Sequence, residues 1–309
     1  MAIFTSLNKE DIINETKELW NITSLVPING WTDNSVYYFQ TDEWNKYIYK
    51  LYEWKFDYFI NRLLAIHKRI DNILTHKPLK KVTDKVSQQT AIIFNFLNNT
   101  GEYNIWEILE YINVFHKSLN KERKQTIVSK NKYLYWIEKE MQYFISKIKN
   151  KWYIDLYSEI NLSQLTNIYT ESLSKILMNK DELRIWLIHN DLNKWNIINK
   201  IDWVEFIDLD GVNKNLILKD YIIFIIRFDI YDKLDEYFIK NQEGYYIIGN
   251  EKVSEWLISN LYKVYSIYLI INMIYYIWYD EKDVKEEMYQ GDNQSWQEIY
   301  KNLKKNNIL

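Results

Sequence analysis

The 309-residue chain contains no cysteine, which excludes disulfides, thiolate metal sites and a cysteine nucleophile and fits a reducing, cytoplasmic setting. Two prolines and six glycines are too few to break a chain of this length into tight turns, so long helices are expected over most of it. A basic surplus is missing as well: 39 Lys and Arg stand against 42 Asp and Glu, a formal charge of −3. Proteins that hold nucleic acid chiefly through its phosphates carry such a surplus, so nucleic acid is not an expected partner. The opening MAIFTSLNKEDIINETKELW is charged and amphipathic and lacks the apolar centre of a secretory signal. No Walker A, G-x-G-x-x-G or G-x-S-x-G stretch is present, which removes the usual phosphate-loop and serine-hydrolase signatures. The longest apolar run, Leu261 to Tyr279, carries Lys263, Ser266 and Asn272 and reads as a buried helix, so no membrane partner is expected.

Core-forming material is plentiful, at 47% hydrophobic and 17% aromatic. A capped helix is expected near Asn8 to Trp20. The stretch SVYYFQTDEWNKYIYKLYEW then reads as a hairpin turning at Asp42 to Lys46. The helix KFDYFINRLLAIHKRIDNIL and the strand TAIIFNFL follow, with a connector at Asn98 to Tyr103. From Ile105 onward the pattern is helical, with one β interruption, WLIHNDLNKWNIINKIDWVEFIDLD. The expectation is an α+β chain with a small first portion, residues 1–98, and a larger helical portion, residues 99–309.

That β interruption places strongly polar side chains where buried strand is otherwise indicated. His189, Asp191 and Asn196 form one group, Asp208 and Asp210 a second, on two strands joined by the turn NKIDW. Buried carboxylates require cations or several donors. Phosphoryl transfer gives the pattern a rationale, because one carboxylate accepts the proton of an attacking hydroxyl while an Asn and a second Asp hold Mg²⁺ on the nucleotide phosphates.

HNDLNKWN and FIDLD resemble the H-x-D-x-x-x-x-N and I-D signatures of the aminoglycoside phosphotransferase and choline kinase superfamily. Asp220, about a dozen residues further on, matches the structural Asp of that family's next helix. NGWTDNSVYYF is similar to its nucleotide-loop strand, YIYKLY to its lysine strand and EILEYINVFHKSLN to the helix that opens its large lobe. The resemblance implies a two-lobed protein-kinase-like fold, with a nucleotide-binding lobe over residues 1–98 and a catalytic, substrate-binding lobe over 99–309. It implies ATP or GTP with Mg²⁺ as cofactors, and a small-molecule hydroxyl such as that of an aminoglycoside, choline or a sugar as acceptor. It makes Asp191 the catalytic base, Asn196 and Asp208 the metal ligands and Lys50 a phosphate ligand, with His189 bracing the catalytic loop and His116 structural.

Strand alternation puts Ile48, Lys50 and Tyr52 on one face and Tyr47, Tyr49 and Leu51 on the other, so Lys50 is expected to project into the cleft. The acid that the family sets in the following helix to hold this lysine is absent, Asn61 standing in its place, which leaves Asp57, Glu53 or a distant acid as partner. His67 and His76 are expected on or just past a charged helix face, and Lys194 in water. IDLD also resembles the I-D-F-D of spore-coat-associated kinase-like proteins, which provides an alternative: a non-catalytic member of the fold with a structural or assembly role.

Overall fold

The computed structural model describes residues 12–13, 21–28, 35–52, 57–83, 89–121, 126–127, 130–149, 160–178, 183–200, 203–249, 251–279 and 286–309. The expected helix at 8–20 lies outside them except for Ile12 and Ile13, as do residues 29–34 of the nucleotide-loop stretch and Glu53. The chain divides into two compact units. The first joins Met1–Tyr103 with Asn196–Asp210, and the second joins Asn104–Trp195 with Gly211–Leu309. Together they make the α+β, two-lobed, kinase-like fold, one lobe built on an antiparallel sheet and the other larger and mainly helical.

In the first unit β1 (Ile22–Pro27), β2 (Ser35–Thr41), β3 (Lys46–Tyr52), β4 (Pro78–Thr83) and β5 (Thr90–Asn95) form one antiparallel sheet in the order β1-β2-β3-β5-β4. The period of two sorts β3 cleanly. Tyr49 and Leu51 are fully buried in a cluster with Phe39, Ala91 and Ile93, against which Tyr47 packs, leaving Ile48, Lys50 and Tyr52 for the opposite face. β1 and β4 were not among the expected strands. β4, PLKKVT, begins with proline and carries two exposed lysines, the composition of a protected sheet edge rather than of a core strand. Helix α1 (Asp57–Arg69) buries Ile60, Leu63, Ile66 and His67. The short strands β8 (Ile197–Asn199) and β9 (Val204–Phe206) pair antiparallel across the expected turn.

The second unit contains α2 (Ile105–Leu119), α3 (Lys130–Lys149), α4 (Leu162–Met178), α5 (Ile217–Phe228), α6 (Glu255–Tyr279) and α7 (Glu286–Lys305). β7 (Arg184–Ile188) lies between β10 (Asn213–Leu216) and β6 (Thr126–Ile127). The single β interruption expected after Ile105 is corrected by a further hairpin, β11 (Tyr245–Ile248) with β12 (Glu251–Ser254), whose turn uses Gly249 at φ 58°. Helix α6 is long and apolar enough by composition to cross a membrane, but 67% of its most apolar window is buried within the fold, against α3, α4, α5 and α7.

Candidate active site

In the first unit, Lys50 is only 5% exposed. Its ammonium lies 2.7 Å from Asp208 Oδ1 and 3.1 Å from Asp210 Oδ2, and the Tyr52 hydroxyl donates to Asp210 Oδ1 at 3.4 Å. Both acids meet one cation because the chain turns just past β9 at Asp208, whose φ of 57° is a left-handed step that Asp tolerates better than most residues. Burial by itself would lower the Lys50 pKa; the charges of Asp208 and Asp210 and their hydrogen bonds outweigh it and hold the ammonium above its ordinary value. Burial, then the same two acids, push the Tyr52 hydroxyl well up. These groups line a cavity of about 170 Å³ whose remaining wall is mostly apolar, including Val36, Ile48, Phe94, Phe96 and Leu97. An apolar slot beside a lysine and two carboxylates is the mixed lining typical of a small-molecule site.

The partner of Lys50 thus comes from far along the chain. Asp57 pairs instead with Lys81 at 3.0 Å, and Asn61 is exposed. The α1 side chain that lines the cavity is His67, and His76, just past the helix, lines it too, so the expectation of a charged helix face is corrected for His67, which is buried. His76 stacks on Phe94 with ring centroids 4.6 Å apart, and its Nδ1 donates to the Asn95 carbonyl at 2.9 Å. Burial lowers His67 to about 3 and His76 to about 4, with the Lys50 charge adding to both.

Groups with depressed folded pKa values contribute stability that is complete above the unfolded value near 6.5 and is lost as pH falls toward the folded ones. Between about pH 6 and pH 5 the unfolded chain binds nearly two more protons than the folded chain at these sites, so unfolding free energy should drop by roughly 2 kcal/mol. Urea titrations across that range would check it, with His67→Gln expected to remove about half of the drop.

Glu205, also unforeseen, is fully buried. It accepts from Thr75 N at 2.9 Å, Thr75 Oγ1 at 2.6 Å and His76 N at 2.5 Å, fastening β9 to the segment that carries His76. Burial raises its pKa against those hydrogen bonds. Asn196 is buried at 3% exposure, and its carbonyl accepts from Ile207 N at 2.9 Å, which ties it to the residue preceding Asp208. Side-chain oxygens such as those of Asn196, Asp208 and Asp210 are the hard donor type that Mg²⁺ takes, and among the described residues no group of three or more histidine or acidic side chains is gathered around a metal position.

In the second unit, Asp191 sits exposed in the loop after β7. The loop is held by Asp220 on the first turn of α5, which is completely buried. Asp220 accepts from His189 N, Asn190 N and His116 Nε2, each at 2.8 Å. Burial pushes the Asp220 pKa up, but the hydrogen bond and charge of His116, the charge of His189 and the Asn190 amide bring it below the ordinary value. The His189 backbone and the His116 ring thus both reach the Asp220 carboxylate. Asn120, not singled out from sequence, joins α2 to β7 by donating to the His116 and Leu187 carbonyls at 2.7 and 2.9 Å and accepting from Leu187 N at 3.0 Å.

Asn193 Nδ2 donates to Asp191 Oδ1 at 3.2 Å, orienting the carboxylate. A Cβ at Gly211 would come within 3.1 Å of the His189 carbonyl and 3.4 Å of Asp191 Cβ, so a glycine is what lets the chain pass this close to the loop. Lys194 is exposed, with its ammonium 5.3 Å from the Phe228 ring centre.

No family model matches the chain, and no curated protein matches it in sequence. Solved structures do match in fold. Amicoumacin kinase hAmiN, in complex with AMP-PNP, Ca²⁺ and Ami, is 12% identical with a TM-score of 0.56, covering 95% of this chain and 94% of its own. Plasmodium vivax ethanolamine kinase is 17% identical with a TM-score of 0.52, covering 93% and 85%. APH(2")-IIIa in complex with GDP and kanamycin is 8% identical with a TM-score of 0.60, covering 95% and 98%. At such identities the likeness establishes the fold, which is protein-kinase-like.

Proposed function

We propose that this kinase-like chain is an ATP- and Mg²⁺-dependent phosphotransferase acting on the hydroxyl of a small molecule. The observation that carries the reading is the first unit's cavity, where Lys50 joins Asp208 and Asp210 beside an apolar slot. Lys50 takes nucleotide phosphate oxygens, and the slot takes the base. Asn196 and Asp208 hold Mg²⁺, which when bound neutralises the charge on the phosphates. Asp191 accepts the acceptor's hydroxyl proton as the new oxygen–phosphorus bond forms and the bond to the leaving nucleoside diphosphate breaks. Asn193 and the Asp220 brace keep the Asp191 carboxylate in place during that step. The solved neighbours with AMP-PNP and with GDP support a purine nucleotide of either base, and the named kinases among them support a small hydroxylated acceptor. A cytoplasmic setting would supply both nucleotide and Mg²⁺.

A non-catalytic reading draws on His67, a neutral side chain lining the cavity from the helix expected to supply an acid. Thermal-shift titration separates the two. ATP should raise the melting temperature with Mg²⁺ present and do so much less without it, and Asp208→Ala should abolish the difference, because a hard cation loses an oxygen ligand. Equal shifts with and without Mg²⁺ would favour the non-catalytic reading, and no shift with ATP or GTP would end the phosphotransferase one.

A further inference from the structure

Lys219 and Asp220 are neighbours on the first turn of α5, and both reach the same loop. Asp220 takes the backbone amides of His189 and Asn190. The Lys219 ammonium donates to the side chain of Asn190, at 2.7 Å from Oδ1. Asn190 is the residue just before Asp191 and has a φ of 71°, a left-handed step that sets the direction in which the next residue leaves. One helical turn therefore fixes both the main chain and the side chain of the residue that aims Asp191.

A lysine is a costly way to hold an amide oxygen. Asn215 Nδ2 already donates to the same Oδ1 at 2.8 Å, so a neutral donor is in place and what the lysine adds is charge. The carboxylates acting on the ammonium are those of Asp220, Asp191 and Glu140, and the Tyr265 ring centre is 5.9 Å away. Burial nevertheless prevails over these acids and leaves the Lys219 pKa below its ordinary value. An ammonium that is incompletely compensated favours negative charge nearby.

We propose that Lys219 is a positioning residue for Asp191: bonded to Asn190 Oδ1, its ammonium locks the left-handed step from which Asp191 leaves. This role rests on the reading of Asp191 as the base. Lys219→Met and Lys219→Arg in the full chain test it, with ATP hydrolysis by water as the reaction and amide hydrogen exchange as a readout independent of turnover. In Lys219→Met, kcat should fall by about 10- to 100-fold, the range of a misaligned reacting group, while the KM for Mg·ATP and the melting temperature stay put. The His189 and Asn190 amides should exchange faster, with the rest of α5 unchanged, and Lys219→Arg should recover part of both effects. Unchanged kcat and exchange in Lys219→Met would overturn the proposal. So would a general loss of stability, with kcat and KM worsened together and no recovery by arginine, since that marks a packing role. If the wild-type chain hydrolysed no ATP, the failure would lie with the phosphotransferase reading, and unaltered amide exchange in Lys219→Met would still refute the positioning role.

Discussion

Asp191→Asn should lower turnover by about a hundredfold or more, the range of a lost general base, while leaving nucleotide binding and folding as they are. The substitution is nearly isosteric, and its side-chain oxygen can still accept from Asn193 Nδ2, which lies 3.2 Å from Asp191 Oδ1. The Asp220 brace acts on the backbone of His189 and Asn190 and is untouched. What disappears is the ability to take a proton as the acceptor oxygen attacks. Nucleoside diphosphate release, compared at saturating Mg·ATP, measures the effect. Turnover equal to the wild type would remove Asp191 from the chemistry.

The second large effect is expected at Lys50. Lys50→Met deletes the cation between Asp208 and Asp210, whose side chains are 18% and 19% exposed, and leaves two carboxylates facing each other. Breaking a fully buried pair costs about 3–5 kcal/mol; the partial exposure here places the loss at or below the lower end. A divalent cation relieves the same repulsion, so Mg²⁺ alone should raise the melting temperature of Lys50→Met by more than that of the wild type. Nucleotide affinity should fall at least about tenfold, because the phosphates lose a charged donor. Calorimetric titration with ATP and Mg²⁺, separately and together, tests both halves. Wild-type nucleotide affinity in Lys50→Met would refute the phosphate role, and an unchanged response to Mg²⁺ would refute the charge argument.

Much of this was readable wherever a local pattern decides the outcome. The alternation in KYIYKLY put Lys50 and Tyr52 on a common face because strand geometry leaves no other choice, and the apolar breadth of α6 follows from its composition. What escaped depends on contacts distant in sequence. The acids beside Lys50 are 158 and 160 residues away, whereas the next helix in sequence places Asn61, which is exposed, at the expected position. His67 lies on a stretch rich in charge, HKR, and only its position on α1 reveals that it faces inward. Glu205 reads as a polar residue in an ordinary strand, and the two amides and the hydroxyl that justify burying it belong to Thr75 and His76. Lys219 sat beside an aspartate already assigned, and nothing in LKDYII separates a loop-gripping lysine from a solvated one. The β11–β12 hairpin is different: YYIIGNEKVS carries a turn signal between two short strands, and only the long helical stretches on either side mask it.

The first unit is assembled from two stretches, Met1–Tyr103 and Asn196–Asp210, and this bears on the order in which a ribosome can deliver a finished fold. The sheet is complete once Asn95 has emerged, yet Lys50 then lacks both carboxylates, and the backbone of Thr75 and His76 lacks Glu205. Until residue 210 has been made, Lys50 lacks these two acids and the three donors of Thr75 and His76 lack their carboxylate. The cavity beside Lys50 is consequently a late product of translation, closed by contacts spanning more than half the chain, and long-range closure of this kind slows folding. A fragment ending at Tyr103 should for that reason be a poor stand-in for the lobe, failing to retain ATP however well its strands pair.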